Sequence, residues 1–239
     1  ASGRLWRKIT GELATSCTLI IPDLPGSGGS TLEHPTGMPG MAACILAILD
    51  KESIPKAVIA GHSMGGYVAL EFAACYPERL AGISLVHSIT RADDDEKKKL
   101  RKKSIDLIRN GGKETFIRHM VPNLFSDTFK QTEPSLVEEE VTQALKVNEE
   151  SLINYYEAMI ERVDHTQALT QARLPVQWII GADDNVIFYK KIIGLCNKCD
   201  INFVTFVINC GHMSMLEASA ALTYDLEEFT HYCYRYATE

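Results

Sequence analysis

The chain has 239 residues, of which 46% are hydrophobic and 23% are charged, so it is long enough for one large domain with a buried core. Its net charge of -7 argues against a nucleic-acid partner and against stable attachment to an anionic membrane. Seven cysteines, an odd number in a chain of this size, favour reduced thiols and a cytoplasmic location.

Short apolar runs alternate with longer amphipathic stretches along the first third of the chain. We predict strands over residues 17–22, 56–61 and 80–86, with helices over 41–50 and 65–76 between them. This alternation predicts a mostly parallel sheet with helices on both faces.

The pattern changes in the middle of the chain. Residues 90–170 are charged and helical in character, and their acidic-then-basic run at 93–99 is expected to be a solvated surface. The alternation then resumes with two further strands, at residues 176–181 and 201–208, and two further helices, at 188–196 and 219–234. We therefore expect one α/β core, formed by residues 1–89 and 171–239, that is interrupted by a helical insertion over 90–170.

A Gly-x-Ser-x-Gly pattern at residues 61–65 follows a predicted strand and opens a predicted helix. A tight turn in this setting exposes the central hydroxyl at the carboxyl end of the sheet. We interpret Ser63 as a nucleophile and the Met64 N–H as a donor to the developing oxyanion. Gly61 and Gly65 are expected to be required because side chains there would collide. The alternative is a glycine-rich turn in which Ser63 caps the helix.

A serine hydroxyl needs a neighbouring base, and seven histidines compete for that role. His212 follows the last predicted strand, at the same end of the sheet as Ser63, whereas His62 should project away from Ser63. The loop after residues 176–181 carries two carboxylates, Asp183 and Asp184. One of them can orient His212 while the other closes the turn.

Four motifs, in this order, resemble those of the α/β-hydrolase superfamily, and the resemblance covers essentially the whole chain. They are Asp-x-x-Gly-x-Gly-x-Ser from Asp23, Gly-His-Ser-Met-Gly-Gly at 61–66, Gly-x-x-Asp-x-Val-Ile at 181–187 and Gly-His at 211–212. The acid of the third motif stands three residues after its glycine, so the resemblance implies Asp184. It also implies an α/β-hydrolase fold with residues 90–170 as a helical lid.

The chain departs from the family pattern at its start. Family members usually carry His-Gly after an early strand, and the loop beyond it supplies a second oxyanion donor. Residues 1–6 resemble the stretch just after that motif. We therefore expect N-terminal strands to be missing from this sequence and the natural chain to continue upstream.

The motifs together imply a serine hydrolase that cleaves a small-molecule carboxylic ester or related acyl bond, with Ser63, Asp184 and His212 as its triad. No cofactor and no metal are expected. Carbon–carbon bond hydrolases and cofactor-free haloperoxidases use the same triad and stay open as alternatives. A hydrolase-like protein that binds a ligand without turnover is the alternative from another class.

Cys196-x-x-Cys199 has the spacing of half a metal site or of a redox pair. No second pair at ligand spacing accompanies it. We therefore expect two thiols on a helix surface.

Overall fold

The computed structural model describes residues 2–236 and, at position 236, the backbone alone. Four parallel strands form its sheet in the order β1 (Ala57–His62), β2 (Leu80–Val86), β3 (Val176–Gly181) and β4 (Asn202–Val207). The core helices are α1 (Thr10–Leu13), α2 (Met38–Lys51), α3 (Met64–Cys75), α10 (Tyr189–Cys196), α11 (Ser214–Glu217) and α12 (Ser219–Tyr236). The insertion between β2 and β3 contains α4 (Asp95–Leu107), α5 (Lys113–Met120), α6 (Asp127–Thr132), α7 (Pro134–Leu145), α8 (Glu149–Glu161) and α9 (Thr166–Gln171).

Strands β2 and β3 lie at the centre of the sheet, and every residue in both is buried. Their side chains alternate between two hydrophobic layers. Trp178 and Ile180 of β3 pack into the layer that contains α2, α3 and α10, whereas Ile179 packs into the layer of α11 and α12. A strand covered on both faces reads as a continuous apolar run, which is why both strands were predicted at their observed bounds.

The strand predicted over residues 17–22 is wrong, because this segment pairs with no other strand. An apolar groove of about 640 Å³ lies between the segment and β1. Ile20 and Ile21 border this groove and are 39% and 40% exposed. Apolar and β-branched residues form a strand only where a partner takes up their backbone hydrogen bonds.

β1 forms the edge of the sheet beside this groove. The expectation that N-terminal strands are missing from this sequence stays a prediction.

The two ends of the insertion are fastened together at its base. Asp93 accepts a hydrogen bond from Arg162 Nη2 at 2.9 Å and a second from Arg101, and the hydroxyls of Thr90 and Thr166 are 2.7 Å apart. The expected solvated surface over 93–99 is therefore wrong at Asp93, whose side chain is fully buried. Burial alone would raise the pKa of the Asp93 carboxyl, but the two guanidinium groups hold it below its ordinary value.

The thiols of Cys196 and Cys199 are buried in the core rather than exposed on a helix surface, which corrects the expectation for this pair. Burial raises the pKa of each thiol to about 11, so both are poor nucleophiles at neutral pH. All seven cysteines are free. Across residues 2–236, no helix combines the length and apolar character needed to cross a bilayer.

Candidate active site

Ser63 occupies the turn between β1 and α3 in a backbone conformation that is unusual for a residue with a side chain, with φ 51° and ψ −115°. Such conformations cost about 1–3 kcal/mol and persist only where neighbouring contacts impose them. Here the Ser63 N–H donates to Val86 O at 2.9 Å, and Ser63 O accepts from Gly66 N and Ser88 Oγ at 3.0 and 2.9 Å. The side chain makes no cap hydrogen bond to α3. Ser63 therefore occupies the N-cap position of α3 without the side-chain hydrogen bond that a capping serine would make.

The turn depends on two glycines. A Cβ at Gly61 would lie 2.4 Å from Gly65 O, and a Cβ at Gly66 would lie 2.3 Å from Ser88 Oγ. A Cβ at Gly65 would meet no atom within 4 Å. The expected steric requirement therefore holds at Gly61 but is wrong at Gly65, and Gly66 carries it instead.

His212 and Asp184 meet at the carboxyl end of the sheet. His212 Nδ1 lies 2.7 Å from Asp184 Oδ2, and both side chains are almost fully buried. Asp184 Oδ1 accepts the N–H groups of Val186 and Ile187 at 2.8 and 2.9 Å, whereas the neighbouring Asp183 is exposed. Of the two candidate carboxylates, Asp184 is therefore the one that contacts the imidazole.

The charge state of Asp184 follows from these contacts. Burial alone would raise the pKa of its carboxyl, but the hydrogen bond from His212 and the nearby His87 Nδ1 hold the pKa well below its usual range. Asp184 is therefore an anion at neutral pH, as an acid that orients an imidazole and stabilises its protonated form must be.

The loop that carries His212 is fixed by the helical insertion. The His212 N–H donates to Leu124 O at 2.7 Å. The Glu217 carboxylate accepts three backbone N–H groups at 3.0–3.1 Å, those of Ser126, Gly211 and Met213. A Cβ at Gly211 would lie 2.5 Å from Ser126 N, so only glycine permits this close approach of the two backbones.

His62 connects the turn of Ser63 with the loop of His212. Its Nε2 donates to His212 O at 2.8 Å, and the two ring centroids are 5.0 Å apart. His212 Nε2 is buried and has no hydrogen-bond partner within residues 2–236. The structure thus brings the loops of Ser63 and His212 together and leaves the outer imidazole nitrogen available, without a hydrogen bond from Ser63 Oγ. Met64 is the first residue of α3, so its N–H has no carbonyl partner earlier in that helix.

A further histidine at this site was not singled out from the sequence. His87 directly follows β2, is fully buried and places Nδ1 3.3 Å from Asp184 Oδ2. The available signal was its position after a strand, at the sheet end shared by Ser63 and His212. His87, Asp184 and His212 also offer three potential metal-ligand atoms within 4.8 Å of one another. A metal ion there would have to replace the direct contact between Asp184 and His212.

Comparison with known proteins agrees with this architecture. Residues 1–219 match the family described as alpha/beta hydrolase fold. The chain therefore belongs to the α/β-hydrolase family. Among curated relatives, it is 24% identical over 224 residues to 3-oxoadipate enol-lactonase 2 of Acinetobacter baylyi, covering 93% of this chain and 82% of that protein.

Two solved structures illustrate the likeness of the fold. A thermophilic esterase from Thermogutta terrifontis superimposes with a TM-score of 0.92 at 25% identity, covering 97% of this chain and 86% of the esterase. The enol-lactonase from Burkholderia xenovorans superimposes with a TM-score of 0.87 at 19% identity, covering 96% and 88% of the two chains. Family and relatives support a hydrolase.

Proposed function

We propose that the protein is a serine hydrolase that cleaves a carboxylic ester or related acyl bond of a small molecule through an acyl-enzyme. The observation that carries this proposal is the buried contact between Asp184 Oδ2 and His212 Nδ1, with the opposite imidazole nitrogen left without a hydrogen-bond partner among residues 2–236. Ser63 stands on a strained turn whose loop is joined to that of His212 through His62.

The contacts support the following sequence of steps. Because His212 Nδ1 donates to the Asp184 carboxylate, the neutral ring carries its lone pair on Nε2. Nε2 accepts the Ser63 proton as Oγ attacks the substrate carbonyl, and the imidazolium is stabilised by the Asp184 anion. The imidazolium then protonates the leaving group as the tetrahedral intermediate collapses to an ester of Ser63.

Water repeats the sequence on the acyl-enzyme. Nε2 takes a proton from water, the hydroxide oxygen attacks the acyl carbonyl, and Ser63 leaves with the proton returned from the imidazolium. The Met64 N–H is our proposed donor to the oxyanion in both halves of the reaction, because it opens α3 directly after the nucleophile.

The names of the similar proteins suit an acyl substrate. An esterase and an enol-lactonase both act on a carbonyl carbon bonded to oxygen, and the same chemistry is proposed here. The insertion is proposed as a lid over the site. Seven free thiols support a cytoplasmic location, where thiols stay reduced.

A fluorophosphonate probe tests the nucleophile without knowledge of the natural substrate. The folded protein should form one covalent adduct at Ser63, and Ser63→Ala should abolish it. Hydrolysis of p-nitrophenyl esters of increasing chain length should fall by several orders of magnitude in Ser63→Ala and His212→Ala. A folded protein that forms no Ser63 adduct and turns over no ester would favour the ligand-binding alternative instead.

Asp183→Asn and Asp184→Asn form a matched pair for the acid. The two residues are adjacent, but only Asp184 contacts the imidazole. Asp184→Asn should reduce the rate by about 10⁴-fold, as loss of the orienting carboxylate does in such triads. Asp183→Asn should stay close to wild type. Equal rates for the two variants would contradict the assignment.

A further inference from the structure

His87 is a fully buried histidine next to Asp184, with its Nδ1 3.3 Å from Asp184 Oδ2. It is the first residue after β2, and its N–H continues the sheet by donating to Ile179 O at 2.9 Å. Its φ of 48° turns the chain at that point. The side chain is completely buried, with its ring centroid 5.5 Å from that of His212.

The hydrogen-bond partner of Nε2 defines which nitrogen of His87 carries the proton. Nε2 lies 3.3 Å from the backbone N of Ser214, whose N–H can only donate. Nε2 must therefore hold the lone pair, and in the neutral ring the proton resides on Nδ1. Burial lowers the pKa of His87, which keeps the ring neutral at pH 7.

The acceptor nearest to that Nδ1–H is the catalytic carboxylate. Nδ1 is 3.3 Å from Asp184 Oδ2, within ion-pair distance but outside hydrogen-bond geometry, and it has no hydrogen-bond partner within residues 2–236. Asp184 Oδ1 already accepts two backbone N–H groups, and Oδ2 accepts His212. The Nδ1–H of His87 therefore faces Asp184 Oδ2, an oxygen whose other neighbouring donor is His212.

We propose that His87 is a positioning residue whose Nδ1–H holds the Asp184 carboxylate in the orientation that serves His212. This inference rests on the proposed function of the triad. His87 acts through Asp184 and is not expected to touch the substrate. It adds a fixed donor that keeps the carboxylate ionised and stops it from rotating away from the imidazole.

Two substitutions separate this role from a purely structural one. In His87→Asn, the side-chain amide N–H can take the place of Nδ1–H, but the contact with Ser214 is lost. In His87→Gln, the side-chain oxygen can take the place of Nε2 and accept from Ser214, but the donor toward Asp184 is lost. Asparagine tolerates the positive φ at this position better than glutamine does. Melting temperatures of both variants are therefore measured, so that a loss of stability is not mistaken for a loss of positioning.

The rate of covalent labelling of Ser63 by a fluorophosphonate is the readout. We expect His87→Asn to label within about threefold of wild type and His87→Gln to label at least about tenfold more slowly, a loss of the size found when the outer partner of a metal-binding side chain is removed. The reverse order, or equal loss in both variants, would overturn the proposal.

The tautomer of His87 gives a second test, which is made on the wild-type protein and does not depend on how stable the variants are. Nitrogen-15 spectra of histidine-labelled protein, assigned with either variant, should show His87 protonated at Nδ1 and not at Nε2. An Nε2–H tautomer would exclude the donor role. Failure of the triad itself is recognised separately, because labelling would then be insensitive to Ser63→Ala and His212→Ala.

Discussion

Alanine substitutions at two glycines of the Ser63 turn should change stability in opposite directions, although both glycines belong to the Gly-x-Ser-x-Gly motif. A Cβ at Gly61 would stand 2.4–2.6 Å from backbone atoms of Gly65 and Gly66. Ordinary contacts of a Cβ begin near 3.4 Å, so the turn would have to open by about an ångström. Because backbone cannot rotate away as a side chain can, the cost should reach about 3 kcal/mol, the upper part of the usual range for overpacking.

Gly65 is in the first turn of α3 and has free space where a Cβ would be. Gly65→Ala should therefore stabilise the protein by up to about 1 kcal/mol, the difference in helix propensity. In a chain of this size, 1 kcal/mol corresponds to roughly 2–4 °C in melting temperature. Differential scanning calorimetry should thus find the melting temperature of Gly61→Ala roughly 6–12 °C below that of wild type and the melting temperature of Gly65→Ala slightly above it.

Gly66 provides an internal check on this reasoning, because its obstacle is a side chain. A Cβ there would approach Ser88 Oγ and Cβ to 2.3 and 2.4 Å. Gly66→Ala should be destabilising alone, and part of the loss should be recovered when Ser88→Gly is added. Equal destabilisation by Gly61→Ala and Gly65→Ala, or no recovery in the double variant, would refute the steric account.

Three further outcomes follow from the contacts. The folded-state pKa of Asp184 lies below the unfolded value of about 3.9, so ionised Asp184 stabilises the fold fully above that pH. Below it, the difference in unfolding free energy between wild type and Asp184→Asn should shrink by about 1.4 kcal/mol per pH unit. Urea titrations from pH 6 to pH 2 measure this difference. Glu217→Ala leaves three backbone N–H groups without their carboxylate and should cost about 1.5–3 kcal/mol of unfolding free energy, which chemical denaturation measures. Iodoacetamide should modify the exposed Cys44 in the folded protein. Cys196 is buried and its thiol pKa is raised to about 11, so it should react only after unfolding. Mass spectrometry would locate the modified cysteines, and modification of Cys196 in the folded protein would contradict its burial.

The sequence was most informative where a residue's environment is set by its neighbours along the chain. Strands β2 and β3 were predicted at their observed bounds because a central strand is apolar on both faces. Residues 17–22 are similarly apolar but form no strand within residues 2–236, because pairing depends on what lies beside the segment in space. The composition of a segment does not show which other segment lies beside it in the fold.

The same distinction applies to the site. Asp184 and Asp183 were equivalent by composition, and only the motif spacing separated them before the contact with His212 was seen. The importance of Gly66 over Gly65 depends on Ser88, which is distant in sequence from both glycines but would meet an added Cβ at Gly66 alone. His87 could not be found from periodicity, because an isolated histidine after a strand is usually structural.

The attachment of the insertion to the His212 loop constrains how a substrate can enter. Leu124 and Ser126 hold this loop through backbone hydrogen bonds and through Glu217, with Gly211 allowing direct backbone contact. In the proposed mechanism, an opening movement of the whole insertion would therefore move the His212 imidazole away from Ser63. We therefore expect substrate access through other segments of the insertion, and substitutions at residues 124–126 should slow the proposed turnover even when substrate affinity is preserved.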